Sequence, residues 1–94
     1  MALMNAHALK IWPPYFDHIM SGEKTFDVRL NDRNYQRGDK ILFREWSPEK
    51  EDYTGRECVM RIDYILRSSF AYPPTAGLQP GYCVLGLMMT ATQE

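Results

Sequence analysis

The sequence lacks an excess of basic residues. Its 94 residues carry 11 lysines and arginines against 12 aspartates and glutamates, a formal net charge of −1. Proteins that bind nucleic acid without sequence preference neutralise many phosphates with unopposed lysine and arginine. Here the basic residues between Lys24 and Arg44 are interleaved with acidic ones. This balance excludes a long basic groove and leaves room for a local, shaped contact, such as a pocket for one base or a strand end.

Cysteine and histidine are also scarce. Cys58 and Cys83 lie in apolar stretches, with no CxxC pair and no histidine at the spacing of a metal site. Free cysteines in a reducing cytosol are usually small buried hydrophobic residues. We therefore expect reduced thiols, with a disulfide between neighbouring strands as the alternative. His7 and His18 have no acid or cysteine at a helpful spacing, so the sequence predicts no metal site and no cofactor.

Long apolar runs are absent as well. No stretch approaches the roughly 20 apolar residues that span a membrane, and the N-terminus lacks the basic start and apolar core of a signal peptide. We expect a cytoplasmic protein with no membrane partner. A chain that is 45% hydrophobic and 13% aromatic is typical of a globular domain, so we predict a single domain over 1–94 with flexible ends at 1–6 and 89–94.

Alternation of apolar and polar residues is the strongest pattern that is present, and it predicts β-strands. The predicted strands are 7–12, 24–30, 40–46, 56–66 and 82–88. For the second strand we assign Phe26, Val28 and Leu30 to the core. In the fourth, every second residue from Cys58 to Leu66 shares one face, and Met60 fits a core position.

A helix is predicted only in the first third of the chain. Pro13-Pro14 suits a helix start, where the first N–H groups have no partner, and Phe16, Ile19 and Met20 follow as one apolar stripe. Gly22 suits the end of that helix. We therefore predict a mainly β fold of the α+β class, with one or two short helices and about five or six strands curled into a pseudo-barrel.

The stretch from Arg67 to Pro80 shows no periodicity. Structureless segments of this length often serve as lids or binding loops, and Phe70 and Tyr72 would then close over a ligand. The alternative is a rigid, proline-shaped connection that packs these aromatic rings on the barrel.

The octet GEKTFDVR at residues 22–29 concentrates charge on the polar face of a predicted strand. Lys24 and Arg29 can hold a phosphate or carboxylate, while Asp27 can accept hydrogen bonds from a base amino group. An acid between two cations suits a hydrogen-bond acceptor better than a general acid. The alternative is a solvated face whose charges pair across the sheet, each pair contributing roughly a few tenths of a kcal/mol.

Together with the bend at 35–39, the octet resembles the ASCH domain, a branch of the PUA-like superfamily. That family's signature reads Gly, any, Lys, Thr, any, Glu, any, Arg, followed by a bend of the form hydrophobic-x-x-Gly-Asp. The matching positions are Gly22, Lys24, Thr25, Arg29, Gly38 and Asp39. Asp27 stands where Glu is common, and the closing GYCVLGL suits the last strand. The resemblance spans nearly the whole chain. More narrowly, the chain resembles a compact bacterial and phage-associated branch of that family.

The resemblance implies a PUA-like pseudo-barrel whose cleft, between barrel and N-terminal helix, binds RNA or a nucleotide-like ligand. The ligand-binding residues it implies here are Lys24, Asp27 and Arg29, to which we add Thr25 from the same motif and Arg33. The alternative for Arg33 is a residue that shapes the turn and contacts water. Trp12 and Tyr15 flank the Pro-Pro bend near the expected cleft mouth and could stack on a base. The alternative for both aromatics is a place in the core, the more common one in so small a domain.

Some relatives in that family are enzymes, including acetylcytidine amidohydrolases that use a threonine nucleophile with a lysine and a glutamate. The lysine position maps onto Lys24, but the nucleophile position maps onto Asp27. The resemblance therefore favours a binding domain with no catalytic residues. The alternatives are a hydrolase of RNA or a modified nucleoside, using Lys24 and Asp27 as acid–base residues beside Thr25, and a phage accessory protein that acts through a protein partner. The sequence leaves the oligomeric state open.

Overall fold

A computed structural model describes residues 5–68 and 77–90. The elements, in chain order, are β1 (Ala6–Ile11), α1 (Pro13–Met20), β2 (Phe26–Leu30), β3 (Lys40–Ser47), β4 (Asp52–Arg67) and β5 (Tyr82–Met89). Phe70 and Tyr72, the predicted lid residues, lie outside the described residues. So do most of the predicted flexible ends, although Ala6 and Met89 themselves belong to strands.

The five strands form one sheet in the order β1-β3-β4-β5-β2. β1 runs parallel to β3, and the other neighbours are antiparallel. The sheet curls into a half-barrel, so the edge strands β1 and β2 approach each other at its open side. There Arg29 Nη2 donates a hydrogen bond to the Lys10 carbonyl oxygen at 2.8 Å. The predicted mainly β pseudo-barrel with a short helix is confirmed.

The core lies on the inner face of this half-barrel, covered on one side by α1. Its buried residues are Leu9, Ile11, Phe16, Ile19, Tyr35, Ile41, Phe43, Cys58, Met60, Ile62, Cys83, Leu85 and Leu87. Pro13 opens α1, and Gly22 follows its end with φ +85°, the left-handed conformation that glycine adopts without strain. Phe16 and Ile19 are buried as predicted, whereas Met20 is exposed.

The inner and outer faces of β2 are reversed relative to the prediction. Phe26, Val28 and Leu30 are 48%, 47% and 48% exposed, so the prediction that they belong to the core is wrong. Asp27 and Arg29 pair with Leu85 and Cys83 of β5, both of which are fully buried. Residues directly opposite in an antiparallel pair share one face, so Asp27 and Arg29 point to the inside.

A bulge also changes the facing of β4. Its register against β5 shifts between Ile62 and Tyr64, and an extra residue moves the following side chains to the opposite face. Tyr64 and Leu66, predicted to share one face with Cys58 and Met60, are therefore exposed, while Ile65 packs against the core.

The Gly38-Asp39 bend is tied down by a buried carboxylate. Asp39 Oδ2 accepts hydrogen bonds from the Gln36 backbone N–H at 2.9 Å and from His7 Nε2 at 2.8 Å. His7 lies on β1, 32 residues away in sequence. The sequence places no acid at a helpful spacing from His7; the parallel pairing of β1 with β3 brings Asp39 to it.

A second buried carboxylate links α1 to the sheet. Glu45 on β3 is 3% exposed and accepts hydrogen bonds from Thr54 and from two nitrogens of Arg56 on β4. Arg56 Nη2 also donates to Asp17 of α1 at 2.9 Å, and its guanidinium lies 4.6 Å from the Phe16 ring centroid. This Glu45–Arg56–Asp17 network holds the helix against the strands.

We predict that neither thiol of the native protein reacts with a thiol reagent at mildly alkaline pH. Both cysteines are free and buried. Burial raises the pKa of Cys58 to about 11 and the pKa of Cys83 above its ordinary value, and the thiolate is the reactive form. Ellman's reagent should titrate both thiols only after denaturant is added. Rapid native labelling of either one would contradict this.

Candidate functional site

A cleft opens where the two edge strands fail to pair. It has a volume of about 530 Å³ and is lined by Lys10, Ile11, Trp12, Tyr15, Asp27, Val28 and Arg29. One wall is the end of β1 and the start of α1, because the Pro13-Pro14 pair ends the strand and turns the chain into the helix. The other wall is β2. We call this space the β1–β2 cleft.

A cluster of three charged side chains lies at the β2 wall of the cleft, and two of them, Asp27 and Arg29, line it. Asp27 Oδ2 accepts a hydrogen bond from Arg29 Nε at 2.6 Å, and Asp27 Oδ1 accepts one from Lys24 Nζ at 3.4 Å. The side chains of Lys24, Asp27 and Arg29 are 17%, 13% and 26% exposed. They are thus mostly withdrawn from water, where charge-assisted hydrogen bonds are stronger than on an open surface.

Two aromatic rings stand at the α1 end of the cleft. Trp12 and Tyr15 are 53% and 51% exposed, so the alternative that they are core residues is wrong. Lys24 Nζ lies 5.7 Å from the Tyr15 ring centroid and 4.6 Å from that of Phe26. An ammonium held near an aromatic face and beside a carboxylate is a fixed donor at the edge of the cleft.

A second, smaller space continues the cleft along β1, with a volume of about 310 Å³. Its lining residues are Ala8, Leu9, Lys10, Arg29, Arg33, Arg44 and Tyr53. Lys10 and Arg29 line both spaces. We call the second space the basic recess, because Lys10, Arg29, Arg33 and Arg44 converge on it.

Comparison with known proteins assigns the chain to a family. The model of a family described as a domain of unknown function, DUF3850, matches residues 6–87. The chain belongs to that family. The matched range begins at the first residue of β1 and ends within β5, so this DUF3850 domain includes both walls of the cleft.

A phage protein is among the relatives of this DUF3850 chain. It is described as an uncharacterized 12.9 kDa protein in the GpA 3′ region of Escherichia phage P2. The two are 39% identical over 56 residues, which are 60% of this chain and 50% of the relative. The chain therefore spans about half the length of the curated relative it matches.

Most of the predicted site residues of the DUF3850 chain meet at the cleft. The residues that line it are Trp12, Tyr15, Asp27 and Arg29. Lys24 is not a lining residue, but it forms an ion pair with Asp27. Arg33 lines the basic recess. Thr25 is exposed and is not among the lining residues; its backbone carbonyl accepts a hydrogen bond from the Leu87 N–H.

Sequence reasoning missed Lys10, Arg44 and Tyr53. Lys10 and Arg44 lie opposite each other in the parallel β1–β3 pair. Tyr53 joins them from β4, where it faces Trp46 in the β3–β4 pairing. Nothing local marks these residues as a site, because only the strand order brings them together.

The described residues contain neither a cluster suited to a metal ion nor a helix suited to a membrane. Within 5–68 and 77–90, no three histidine, cysteine, aspartate or glutamate side chains come together as a metal ion would require. No helix in these ranges has the length and apolar character needed to cross a membrane.

Proposed function

We propose that this DUF3850 domain binds a nucleotide-like ligand, either a free nucleotide or one nucleotide of a single-stranded RNA, in the β1–β2 cleft. One observation carries the proposal: two half-exposed aromatic rings, Trp12 and Tyr15, stand beside a cluster of mostly buried charges in a single cleft. In this function the domain is a binding module without catalytic residues.

The chemistry of the cleft suits a nucleobase. An aromatic ring that stacks on a base contributes about 1–3 kcal/mol per base, and every base offers such a face. Asp27 keeps acceptor capacity for a base amino group beyond its contacts with Lys24 and Arg29, since a carboxylate offers about four acceptor positions. Stacking by Trp12 or Tyr15 would supply affinity, and Asp27 would supply selection among bases.

The resemblance to ASCH and PUA-like domains supports the same function. The curled β-sheet, the short N-terminal helix and the cleft between them are what that resemblance implies. Lys24, Asp27 and Arg29, the charged residues of the octet, form one cluster at this cleft. We therefore propose that the DUF3850 domain is an ASCH-like branch of the PUA-like superfamily.

We predict that Trp12→Ala weakens binding of ribonucleotides by about tenfold or more, because a stacking contact of this kind contributes about 1–3 kcal/mol. The measurement is an NMR titration of the labelled protein with the four ribonucleoside monophosphates and with short single-stranded RNAs. Shifts should concentrate on residues of the β1–β2 cleft. The turn at 48–51, at the far end of the β3–β4 hairpin, serves as the internal reference.

Matched lysine variants test the charged wall in the same titration. Lys24→Ala should weaken binding several-fold, whereas Lys50→Ala, an exposed lysine in the β3–β4 turn, should leave the affinity unchanged. Absence of shifts at the cleft with every probe would overturn the proposed function. Equal losses of binding affinity in Lys24→Ala and Lys50→Ala would show that Lys24 is not part of the site.

A hydrolase is the second candidate, favoured by the contact of 3.4 Å between Lys24 Nζ and Asp27 Oδ1. Acid–base catalysis requires two such groups within reach of a substrate. However, Thr25 does not line the cleft, and Arg29 already occupies the second oxygen of Asp27. Incubation with single-stranded RNA and with N4-acetylcytidine tests this candidate. Product formation that disappears in both Lys24→Ala and Asp27→Asn would support it over a binding module.

A further inference from the structure

We propose that the basic recess is a phosphate subsite, so that the ligand of the cleft is a nucleotide and not a free nucleoside. This inference rests on the proposed function and names the class of its ligand. The base occupies the aromatic end of the β1–β2 cleft, and the phosphate sits among Lys10, Arg33 and Arg44.

The charge of the recess supports an anion. Its basic side chains are those of Lys10, Arg29, Arg33 and Arg44, and no carboxylate is among the described residues that line it. Arg29 pairs with Asp27, and Arg44 pairs with Glu57. Within residues 5–68 and 77–90, neither Lys10 nor Arg33 forms a salt bridge. Two positive charges therefore remain without an acidic partner, although the whole chain is nearly neutral.

Aromatic rings hold the side chains of Lys10 and Arg44 in place without neutralising their charges. Lys10 Nζ lies 3.8 Å from the Trp46 ring centroid, and the Arg44 guanidinium carbon lies 3.8 Å from that of Tyr53. Trp46 and Tyr53 in turn pack edge to face at 5.0 Å. A cation over an aromatic face keeps its full charge, so Lys10 combines a fixed position with an uncompensated charge, whereas Arg44 also pairs with Glu57. Such preorganisation lowers the entropic cost of binding an anion.

The spacing along β1 fits one nucleotide. Trp12 follows Lys10 by two residues, and extended backbone rises about 3.3 Å per residue. The Cα atoms of the stacking residue and the first basic residue are thus separated by roughly 7 Å along the chain, on the scale of one base and its phosphate. Arg29 lines both spaces and lies between the two proposed subsites.

Calorimetric titration of the purified chain distinguishes this inference from the proposed function. The probes are the four ribonucleosides, their 5′- and 3′-monophosphates, and inorganic phosphate. We expect monophosphates of at least one series to bind roughly tenfold or more tightly than the nucleosides, with a preference that decreases as salt increases. Arg33→Ala should remove the preference and leave nucleoside affinity within about twofold.

Arg37→Ala is the matched control, because Arg37 is exposed and lies in the same connection between β2 and β3, outside both spaces. It should retain the preference. Equal affinities for nucleosides and monophosphates in the unmodified protein would overturn the phosphate subsite and leave the proposed function standing. Absence of binding by every probe would overturn both. Circular dichroism confirms that Arg33→Ala is folded.

We also infer, from a different surface, that two copies of the chain pair through the outer faces of β2, β5 and β4. The large apolar side chains exposed there are Phe26, Val28, Leu30, Tyr64, Leu66 and Tyr82. We call this surface the outer apolar face. Every outward position of β2 and β5 is apolar or glycine, from Phe26 to Leu30 and from Tyr82 to Met88.

Strand register makes the outer apolar face continuous. Phe26, Gly86 and Tyr64 form one row across the three strands, and Val28, Val84 and Leu66 form the next. Gly86 lies at the β4 bulge, where an added Cβ would meet the Tyr64 Cβ and Asp63 Oδ1 at 3.2 Å each. Glycine therefore fits this position, because the space that a Cβ would take is already bounded by these atoms.

The area of this face suits a dimer. Large side chains present roughly 150–250 Å² each when fully exposed, and these six are 37–62% exposed. Their sum is on the order of 500–700 Å², which reaches the upper end of the roughly 300–600 Å² of a typical monomer's largest apolar patch. It also approaches the roughly 800 Å² per partner of a standard interface.

The chemistry of the face favours a second copy over a different protein. A two-fold interface is self-complementary, and the outward side chains of β2 and β5 on this face are apolar, so they offer nothing that would select a charged partner. The net charge of −1 causes little repulsion between copies. The β1–β2 cleft lies at the open side of the half-barrel and shares Val28 with this face.

Analytical ultracentrifugation over a range of concentrations tests the dimer. We expect twice the mass of the 11.0 kDa chain at micromolar concentration, and a monomer for Tyr64→Glu, which places a charge at a side chain that is 62% exposed. Lys50→Glu, in the β3–β4 turn, should remain dimeric. A monomer at all concentrations would overturn the proposed dimer, and the outer apolar face would then remain free to contact a different protein. A Tyr64→Glu variant that stays dimeric would place the interface elsewhere and equally overturn the inference.

Discussion

We expect Arg56→Ala to lower the free energy of unfolding at neutral pH by about 2–3 kcal/mol. Arg56 donates to both oxygens of Glu45, at 2.9 Å and 2.6 Å, and Glu45 is 3% exposed. Removing one partner of a buried ion pair costs about 3–5 kcal/mol, because the remaining charge stays buried. We take a smaller value of about 2–3 kcal/mol, since the Arg56 side chain is 53% exposed and water can replace part of it.

Arg44→Ala is the matched control for this loss of stability. Arg44 and Glu57 form a pair on the same two strands, with Nε and Oε2 2.9 Å apart, but their side chains are 39% and 37% exposed. Exposed pairs contribute less than about 1 kcal/mol. Urea unfolding of the two variants measures the difference. Equal losses would show that burial of Glu45 does not control the energy of its pair.

Acid should reduce the cost of Arg56→Ala. Hydrogen bonds from Arg56 first, and from Thr54 second, hold the pKa of Glu45 below its ordinary value of 4.5 despite its desolvation. The unfolded chain therefore takes up the proton first as the pH falls. The stabilisation is fully present above about pH 4.5 and is lost as the pH falls through the lower pKa of the folded state. Unfolding free energies of the native sequence and Arg56→Ala, measured across this range, should converge in acid.

Arg29→Ala should weaken the binding of ribonucleoside monophosphates by about 30-fold or more. Truncating one member of a buried, hydrogen-bonded charge pair at a binding site typically costs about 2–5 kcal/mol. Arg29 Nε donates to Asp27 Oδ2 at 2.6 Å, and its Nη2 donates to the Lys10 carbonyl at 2.8 Å. Its loss removes the one side-chain bridge described between the edge strands and leaves Asp27 with Lys24 alone.

Arg29→Lys separates charge from geometry in the same titration. A lysine keeps the positive charge, but it has no planar fork that can contact Asp27 and the β1 backbone together. We expect a loss of roughly tenfold, between those of the native sequence and Arg29→Ala. Arg37→Ala again serves as the control and should bind normally. Unchanged affinity in Arg29→Ala, with the fold intact by circular dichroism, would contradict a site at the β1–β2 cleft.

The elements of the fold follow from local patterns in the sequence. Alternation places all five strands within a few residues, except that β4 begins at Asp52 instead of Arg56. The Pro-Pro start and the Gly22 end locate α1, because both features act through the backbone of neighbouring residues. The octet brought Lys24, Asp27 and Arg29 to attention through their charge, and the structure places them in one cluster.

The facing of β2 could not be predicted from the same alternation. A period of two defines two faces, but it does not say which of them the sheet buries. Pairing with Leu85 and Cys83 of β5 turns Asp27 and Arg29 inward. These polar groups are tolerated there because the half-barrel is open beside β2, where Lys24 and the Lys10 carbonyl satisfy them.

The sequence by itself therefore determined the strands, the helix and the residue types of a candidate site, since these depend on backbone preferences and on neighbours a few positions away. Only the tertiary structure decided that Lys10 and Arg44 join the site, that Glu45 is held by Arg56, and that the apolar side of β2 faces outward. Each of these depends on the strand order β1-β3-β4-β5-β2. That order comes from packing between residues distant in sequence, which local patterns do not encode.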